Sequence, residues 1–380
     1  MNLPIEGDSP ARGDAPGGDT RLPKSVGDLH KTITMAQIAK AAGVSQGAIS
    51  SLLNDRDYGI RVSEKTRERV FKVCREMGYI PNDLRAVVRM YPEFGSFSLL
   101  ISAKIEGGLA NPMAARLAGA AMSALPEASC PLTLALYDGN RDYLVDGEAL
   151  PQPVRSGVCS KFLCFGSPNG TLFQALHRRG YPAVSLGYEV ALPGVLSLVP
   201  DYAEASRTAI RHLHSLGHRQ LAIVSGPFGA TDAHVLELNR GVRLACDELK
   251  LPIESLRIIY GDLSDKSGRS AVEELFSKKV EPSAIFCMSD AAAAGVLTAA
   301  HVRGLKVPEQ LSVIGCGDDP RALYSCPLLT TVRLPAEEIA IAGVHEIDRL
   351  VRAAVPGAPR KTIYPVTLVE RESTGPVARS

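Results

Sequence analysis

Thr34 to Ser45 is the stretch whose residue types and spacing could do specific chemistry. Thr34 can cap a helix by accepting a hydrogen bond from an orphan backbone amide. Met35, Ile38, Ala39 and Ala42 recur at i, i+3, i+4 and i+7 and give one apolar stripe. Gly43 can take the positive φ that ends a helix, and Ser45 can cap a second one over residues 46–53, with Ile49, Leu52 and Leu53 facing inward. Two helices joined this tightly make a helix-turn-helix, whose second helix fits the major groove; an ordinary helical hairpin is the alternative these residues leave open. Signals for bond-making chemistry are missing. The Gly-x-Ser-x-Gly string at 43–47 lies in the helix-to-helix turn itself, with no strand before it to make a nucleophile elbow, and the chain has no Gly-x-x-x-x-Gly-Lys phosphate loop and no His-Glu-x-x-His motif. Gly226-Pro227-Phe228-Gly229 lacks the dinucleotide fingerprint and reads as a turn. His212, His214 and His218 share a segment otherwise made for packing, so a metal role is the lesser reading there. No cofactor and no metal site is expected.

The elements that must position such a reader follow from composition and pattern. The 380 residues have 45% apolar and 22% charged side chains, ordinary for two or three globular domains. Net charge is +1, which excludes a polybasic binder, yet residues 31–91 hold eleven Lys/Arg against six Asp/Glu. A basic small domain on a near-neutral body suits a DNA reader, although a solvated charged face gives the same count. The eight cysteines show no Cys-x-x-Cys pair and mostly lie in apolar runs, so they read as core thiols in a reducing compartment. With no bilayer-length apolar run and no signal-peptide pattern, a cytoplasmic protein without membrane contact is expected.

Residues 1–30 are rich in Gly, Pro and Asp and are expected to be a disordered extension. Residues 31–80 carry three helices, the third starting at Ser63 and running to Gly78. Pro81 interrupts, Asn82 can cap a short hinge helix over 83–90, and residues 81–95 are hinge and linker. From 96 to 380 strands alternate with helices. Strands are expected at 97–101, 132–137, 161–165, 183–186, 220–224, 257–260, 283–288 and 311–315. Helices are expected at 112–124, 172–179, 203–216, 235–249, 268–277 and 291–303. Repeated β-α units imply parallel sheets with right-handed crossovers, and so many strands imply two subdomains with a ligand cleft beyond the carboxyl ends of the strands.

A small DNA reader joined by a hinge to a two-lobed sensor resembles the lactose-repressor/purine-repressor family of bacterial transcription regulators. The pieces that carry the resemblance are Ala39-x-x-Ala42-Gly43-Val44-Ser45, Val62-Ser63-x-x-Thr66-Arg67-x-x-Val70 and Gly78-Tyr79-x-Pro81-Asn82. Further along come Asn111-Pro112, Leu216-Gly217-His218-Arg219, Ser289-Asp290, Val307-Pro308-Glu309, Leu329-Thr330-Thr331-Val332 and Arg371-Glu372-Ser373-Thr374. The resemblance implies an all-α helix-turn-helix domain plus an α/β, periplasmic-binding-protein-like sensor. It also implies a homodimeric repressor that grips palindromic double-stranded operator DNA under control of a small-molecule effector, such as a carbohydrate.

The implied DNA-facing residues are Thr34, Ser45, Gln46, Gly47, Ser50, Ser51 and Asn54. Gln46 can read adenine by paired hydrogen bonds. Ser51 stands where the family usually has an arginine, and the 55–61 loop is three residues longer than usual, so Arg56 or Arg61 is expected to supply the lost contact. Pairing of these arginines with Asp55 and Asp57 is the other reading. In the hinge, Asn82, Arg85 and Arg89 match, with Val88 at the minor-groove wedge in place of leucine; core packing is the alternative for Val88. In the sensor, Asp290 matches the family's effector-contacting carboxylate, with helix capping as its other role. Met113, Leu263 and Arg240 complete the implied effector set, each a departure. Met113-Ala114 replaces a bulky pair, Leu263 an aromatic, Leu238 the usual arginine and Gly187 a frequent carboxylate, with Arg240 the nearest substitute cation or else a surface residue. A two-lobed binding protein or enzyme, whose N-terminal helices are only an interaction module, is the rival reading.

Overall fold

The cap and stripe around Thr34 produce the helices they predict. The computed structural model describes residues 33–54, 62–77, 79, 96–105, 107–125, 131–166, 169–229, 232–352 and 358–377. The chain forms two compact units, residues 1–86 and 87–380. In the first, α1 (Met35–Ala42), α2 (Gln46–Asn54) and α3 (Glu64–Met77) pack together. Thr34 and Gln37 form a reciprocal capping box, Gln37 N–H donating to Thr34 Oγ1 (3.3 Å) and Thr34 N–H to Gln37 Oε1 (2.8 Å). Gly43 ends α1 at φ +62°, and Ser45 Oγ accepts from Ala48 N–H (3.1 Å) to start α2. Ser63 caps α3 through Thr66 N–H (3.3 Å). Ile38, Ile49, Val70 and Cys74 are fully buried between the helices. Truncating either isoleucine to alanine would cost about 2–5 kcal/mol. The expected disordered extension and the hinge helix lie outside the described residues.

The second unit is a pair of lobes, each a six-stranded sheet. Lobe 1 takes β1 (Ser96–Ser102), β2 (Leu132–Tyr137), β3 (Cys159–Phe165), β4 (Ala183–Leu186) and β5 (Leu196–Pro200). Its helices include α4 (Pro112–Ala124), α5 (Gln152–Ser156) and α6 (Gly170–Arg178). The chain crosses to lobe 2 at α7 (Tyr202–Ser215) and builds β6 (Leu221–Ser225), α8 (Ala233–Leu249), β7 (Arg257–Tyr260), α9 (Asp265–Ser277) and β8 (Ala284–Cys287). There follow α10 (Asp290–Val302), β9 (Ser312–Gly317), the short α11 (Arg321–Tyr324) and β10 (Thr330–Arg333). It returns to lobe 1 as α12 (Ala336–Arg352) and β11 (Arg360–Tyr364), then ends in lobe 2 with β12 (Thr367–Val369).

Strand order is β11-β5-β4-β3-β1-β2 in one sheet and β12-β10-β9-β8-β6-β7 in the other. Every pairing is parallel except β10 with β12. Central strands such as β3 and β6 are buried along their whole length, as parallel sheets covered by helices on both faces require. Strand order reverses between β1 and β3 and between β6 and β8, so each lobe has its switch-point crevice at the carboxyl ends of its strands. Three chain crossings, at 200–202, 333–336 and 364–367, join the lobes. Among the described residues no helix is long and apolar enough to cross a membrane.

The histidine segment belongs to this framework. His218, fully buried just before β6, donates from Nε2 to Gly375 O (3.0 Å), while Nδ1 meets Ser283 Oγ (2.9 Å). His212 Nε2 meets Thr374 Oγ1 (2.9 Å). Both imidazoles have pKa values lowered by burial. They fasten the C-terminal segment to lobe 2, and no cluster of metal-ligating side chains occurs among the described residues.

Candidate functional site

The N-terminal end of α2 is a polar, exposed surface carried on a buried apolar one. Ala48, Ile49 and Leu52 face the core, which turns Ser45, Gln46 and Gly47 to solvent. Ser50 and Ser51 are half-buried and already engaged in polar interactions. Gln46 therefore offers its amide, one donor and one acceptor edge, at the first turn of a capped helix. Thr34 is exposed but spends its hydroxyl on the capping box. Asn54 ends α2. Arg56, Arg61, Asn82, Arg85, Val88 and Arg89 lie outside the described residues.

The second site lies where the carboxyl ends of the two sheets face each other. Asp290 is the first residue of α10, and it is 1% exposed. The cap of that helix is Ser289, whose Oγ accepts from Ala292 N–H (3.1 Å) and donates to Leu263 O (2.6 Å). The carboxylate is thus released from capping. Its Oδ1 accepts from Thr331 Oγ1 (2.5 Å) and its Oδ2 from Asp319 N–H (2.8 Å). A side chain at Gly315 would overlap Oδ1, so the carboxylate rests directly on the β9 backbone. Burial raises the pKa of Asp290 from 3.8 to about 7, against the lowering effect of those two hydrogen bonds.

Lobe 1 reaches this region through Tyr188, just beyond β4, and lobe 2 through His234 in the first turn of α8. Tyr188 packs edge-on to His234 with ring centroids 5.3 Å apart, and Tyr202 closes on the same ring at 5.9 Å. His234 Nδ1 is buried without a hydrogen-bond partner among the described residues. Desolvation lowers the pKa of that imidazole, so it is neutral. Such an orphan is unusual in a folded protein.

The remaining effector candidates divide. Met113 is half-buried at the start of α4, its N–H taken by Asn111 Oδ1 (3.0 Å), and it packs on the core of lobe 1. Leu263 sits at φ +66° and packs on the core of lobe 2. Arg240 is not brought in: its side chain is 55% exposed and paired with Glu237 at 2.6 Å. Leu238 is core. The helix that lacks the arginine presents His234 one turn earlier on the same face. Sequence reasoning missed His234, Tyr188 and Tyr202; the i, i+4 spacing of His234 and Leu238 was the available signal. It also missed Thr331 and Asp319, whose meeting with Asp290 no sequence spacing encodes. A further aromatic pair, Phe228 and Tyr260, stands at the carboxyl ends of β6 and β7 with centroids 5.1 Å apart, and Phe228 is 81% exposed.

Comparison with known proteins agrees with this architecture. The sequence model of the family described as "Bacterial regulatory proteins, lacI family" matches residues 34–82. That described as "Periplasmic binding protein-like domain" matches residues 210–374. The HTH-type transcriptional regulator DegA of Bacillus subtilis (strain 168) is 29% identical over 351 residues, which is 90% of this chain and 98% of DegA. The HTH-type transcriptional regulator CelR of Thermobifida fusca is 28% identical, over 88% of this chain and 95% of CelR. A solved structure described as "transcriptional regulator CelR-cellobiose complex" is 26% identical with a TM-score of 0.63, covering 90% of this chain and 99% of that one. A lac repressor dimer bound to operator and the anti-inducer ONPF shares the fold, at 23% identity and a TM-score of 0.61, covering 91% and 100%. A helix-turn-helix followed by a two-sheet, two-lobed α/β unit defines a DNA-binding transcriptional regulator. Residues 34–82 thus match the lacI family of bacterial regulatory proteins, and the relatives named here that align along 88–90% of the chain are HTH-type transcriptional regulators.

Proposed function

We propose that this regulator acts as a homodimeric repressor on a palindromic operator, with a small molecule between the lobes setting its affinity. The exposed N-terminal turn of α2, with Gln46 and Gly47 facing solvent above a buried Ile49, is the observation that carries the DNA half of this reading. Gln46 reads adenine, Arg56 or Arg61 supplies the phosphate or guanine contact that Ser51 does not, and Arg85 and Arg89 add phosphate-facing charge in the hinge. Two copies are needed because one such helix covers too little DNA for specificity. The protein works in the cytoplasm, by binding and without turnover.

For the effector, the named cleft groups are Asp290, Tyr188, Tyr202 and the neutral His234, and the family arginine is a core leucine here. An uncharged ligand carrying hydroxyls fits that set: it donates to a carboxylate, hydrogen-bonds an imidazole and stacks on a tyrosine. Cellobiose and ribose in structures of relatives support the class without fixing the member. The test is selection of genomic fragments by the full chain, then anisotropy titration of the selected duplex with and without neutral mono- and disaccharides. Lack of any enriched palindrome would refute the operator reading. Affinity unmoved by neutral sugars but moved by sugar acids would refute the ligand class.

A further inference from the structure

Arg116 in α4 is the side chain that ties the two lobes beside the cleft. Its side chain is 15% exposed and its guanidinium fully used. Nε and Nη2 hold both carboxylate oxygens of Glu337 at 2.8 and 2.7 Å, a bidentate pair with the first turn of α12. Nη2 also donates to Leu334 O (2.9 Å), on the segment that crosses from β10 back to lobe 1. Nη1 reaches into lobe 2 and donates to Gly317 O (2.7 Å), at the end of β9. One rigid fork thus holds a lobe 1 helix, a crossing segment and a lobe 2 strand end.

The strand end it grips is the one that serves Asp290. Two residues beyond Gly317, the Asp319 N–H donates to Asp290 Oδ2. Between them Asp318, at φ +54°, pairs with Arg371 at 2.6 Å. The 317–319 turn is therefore held by Arg116 from lobe 1, by Arg371 from the C-terminal segment and by Asp290 from the cleft. On the other side, Met113 lies one helical turn before Arg116 on α4. A displacement of one cleft wall reaches the guanidinium along one turn of α4, and of the other through the 317–319 turn, and a planar fork does not follow a moving carbonyl as a flexible ammonium can.

We propose that Arg116 is the positioning residue that sets lobe closure, and that the cleft controls DNA affinity by keeping or breaking its bond to Gly317 O. This rests on the reading that a cleft ligand controls the regulator, but closure itself is testable without ligand or DNA. The full chain would carry spin labels at Glu148→Cys in lobe 1 and Val302→Cys in lobe 2, with Cys130 and Cys326 replaced by serine. Diluting labelled with excess unlabelled protein leaves one labelled chain per assembly. The unaltered tie should give one narrow interlobe distance distribution. Arg116→Ala should give a longer mean and a broader distribution. The exchange Arg116→Glu with Glu337→Arg keeps the charge pair but sets a carboxylate against two carbonyls, and it too should broaden. If Arg116→Ala does not fold, Arg116→Lys decides, because an ammonium cannot serve Glu337, Leu334 O and Gly317 O together; its distribution should broaden. A distribution superimposable on the parent in Arg116→Ala, in Arg116→Lys or in the exchange variant overturns the proposal, since the fork would then be a stabilising ion pair and nothing more. Failure of sugars to shift operator affinity would instead count against the effector reading and leave the distance result standing.

Discussion

Replacing Asp290 by asparagine should stabilise the protein above neutral pH and remove a pH dependence that the parent shows. The carboxyl is buried, and its pKa is raised from 3.8 to about 7, chiefly by burial. A raised carboxyl pKa means that the folded state binds the proton more tightly than the unfolded chain does. Stability from this group is fully present below pH 3.8, falls as pH rises through the window from 3.8 to about 7, and stays low above it. At about 1.36 kcal/mol per pH unit, the span comes to roughly 4 kcal/mol. Asparagine keeps the shape and an acceptor for Asp319 N–H, can donate to Thr331 Oγ1, and carries no charge to desolvate. Urea unfolding of parent and Asp290→Asn, at matched concentrations from pH 5 to pH 9, should give a difference that grows with pH in favour of the variant and levels off near neutrality. A variant less stable than the parent by the same margin at every pH would refute the reasoning, because the ionised carboxylate would then be a net stabilising partner. The same property suits a sensor. A ligand hydroxyl donating to Asp290 would relieve part of the penalty, so binding would strengthen closure where the empty cleft is weakest.

Three other outcomes are expected. Thr34→Ala removes one half of the capping box and should cost about 1 kcal/mol, read as a lower thermal midpoint, whereas Thr34→Ser should restore it. Arg56→Ala or Arg61→Ala should weaken operator binding by about 1–3 kcal/mol in anisotropy titrations at fixed salt; unchanged affinity for both would make the 55–61 loop a spacer. His234→Leu should raise the thermal midpoint of the ligand-free protein, since it removes a buried nitrogen that lacks a partner, and should abolish any sugar response. A destabilised His234→Leu that still responds to sugar would assign the imidazole a structural role.

Much of the architecture was legible in the residues. Helix Pro112–Ala124 and strands Leu132–Tyr137, Ala183–Leu186 and Arg257–Tyr260 have the bounds their apolar runs and flanking breakers predict. Most other elements differ by a residue or two at their ends. The elements with no counterpart lie mostly where the chain passes between lobes, as β5, β10, β11, β12 and α12 do, the short helices α5 and α11 being the others. β11 reads Arg-Lys-Thr-Ile-Tyr and is almost wholly exposed, so no alternation marks it as a strand; it is one because β5 offers a free parallel edge. β12 is three residues long and antiparallel to β10, outside the β-α repeat. Helix Ala336–Arg352 does carry a stripe at Ala336, Ile339, Ala340, Val344 and Ile347, but the strand expected before such a helix belongs to the other lobe.

The reader and the class follow from short-range features of the chain. Capping, the αL glycine at 43 and the i, i+3, i+4 stripe act within about ten residues, so local spacing specifies α1, the turn and the exposed start of α2. What the cleft contains was decided by tertiary structure. Asp290 meets Thr331 and Asp319, Tyr188 meets His234, and Arg116 meets Gly317 across 201 residues of chain. Those meetings depend on which strand ends the two sheets bring together and on where three crossings let the lobes close. A charge or a ring in a sequence carries no record of the partner that burial will give it.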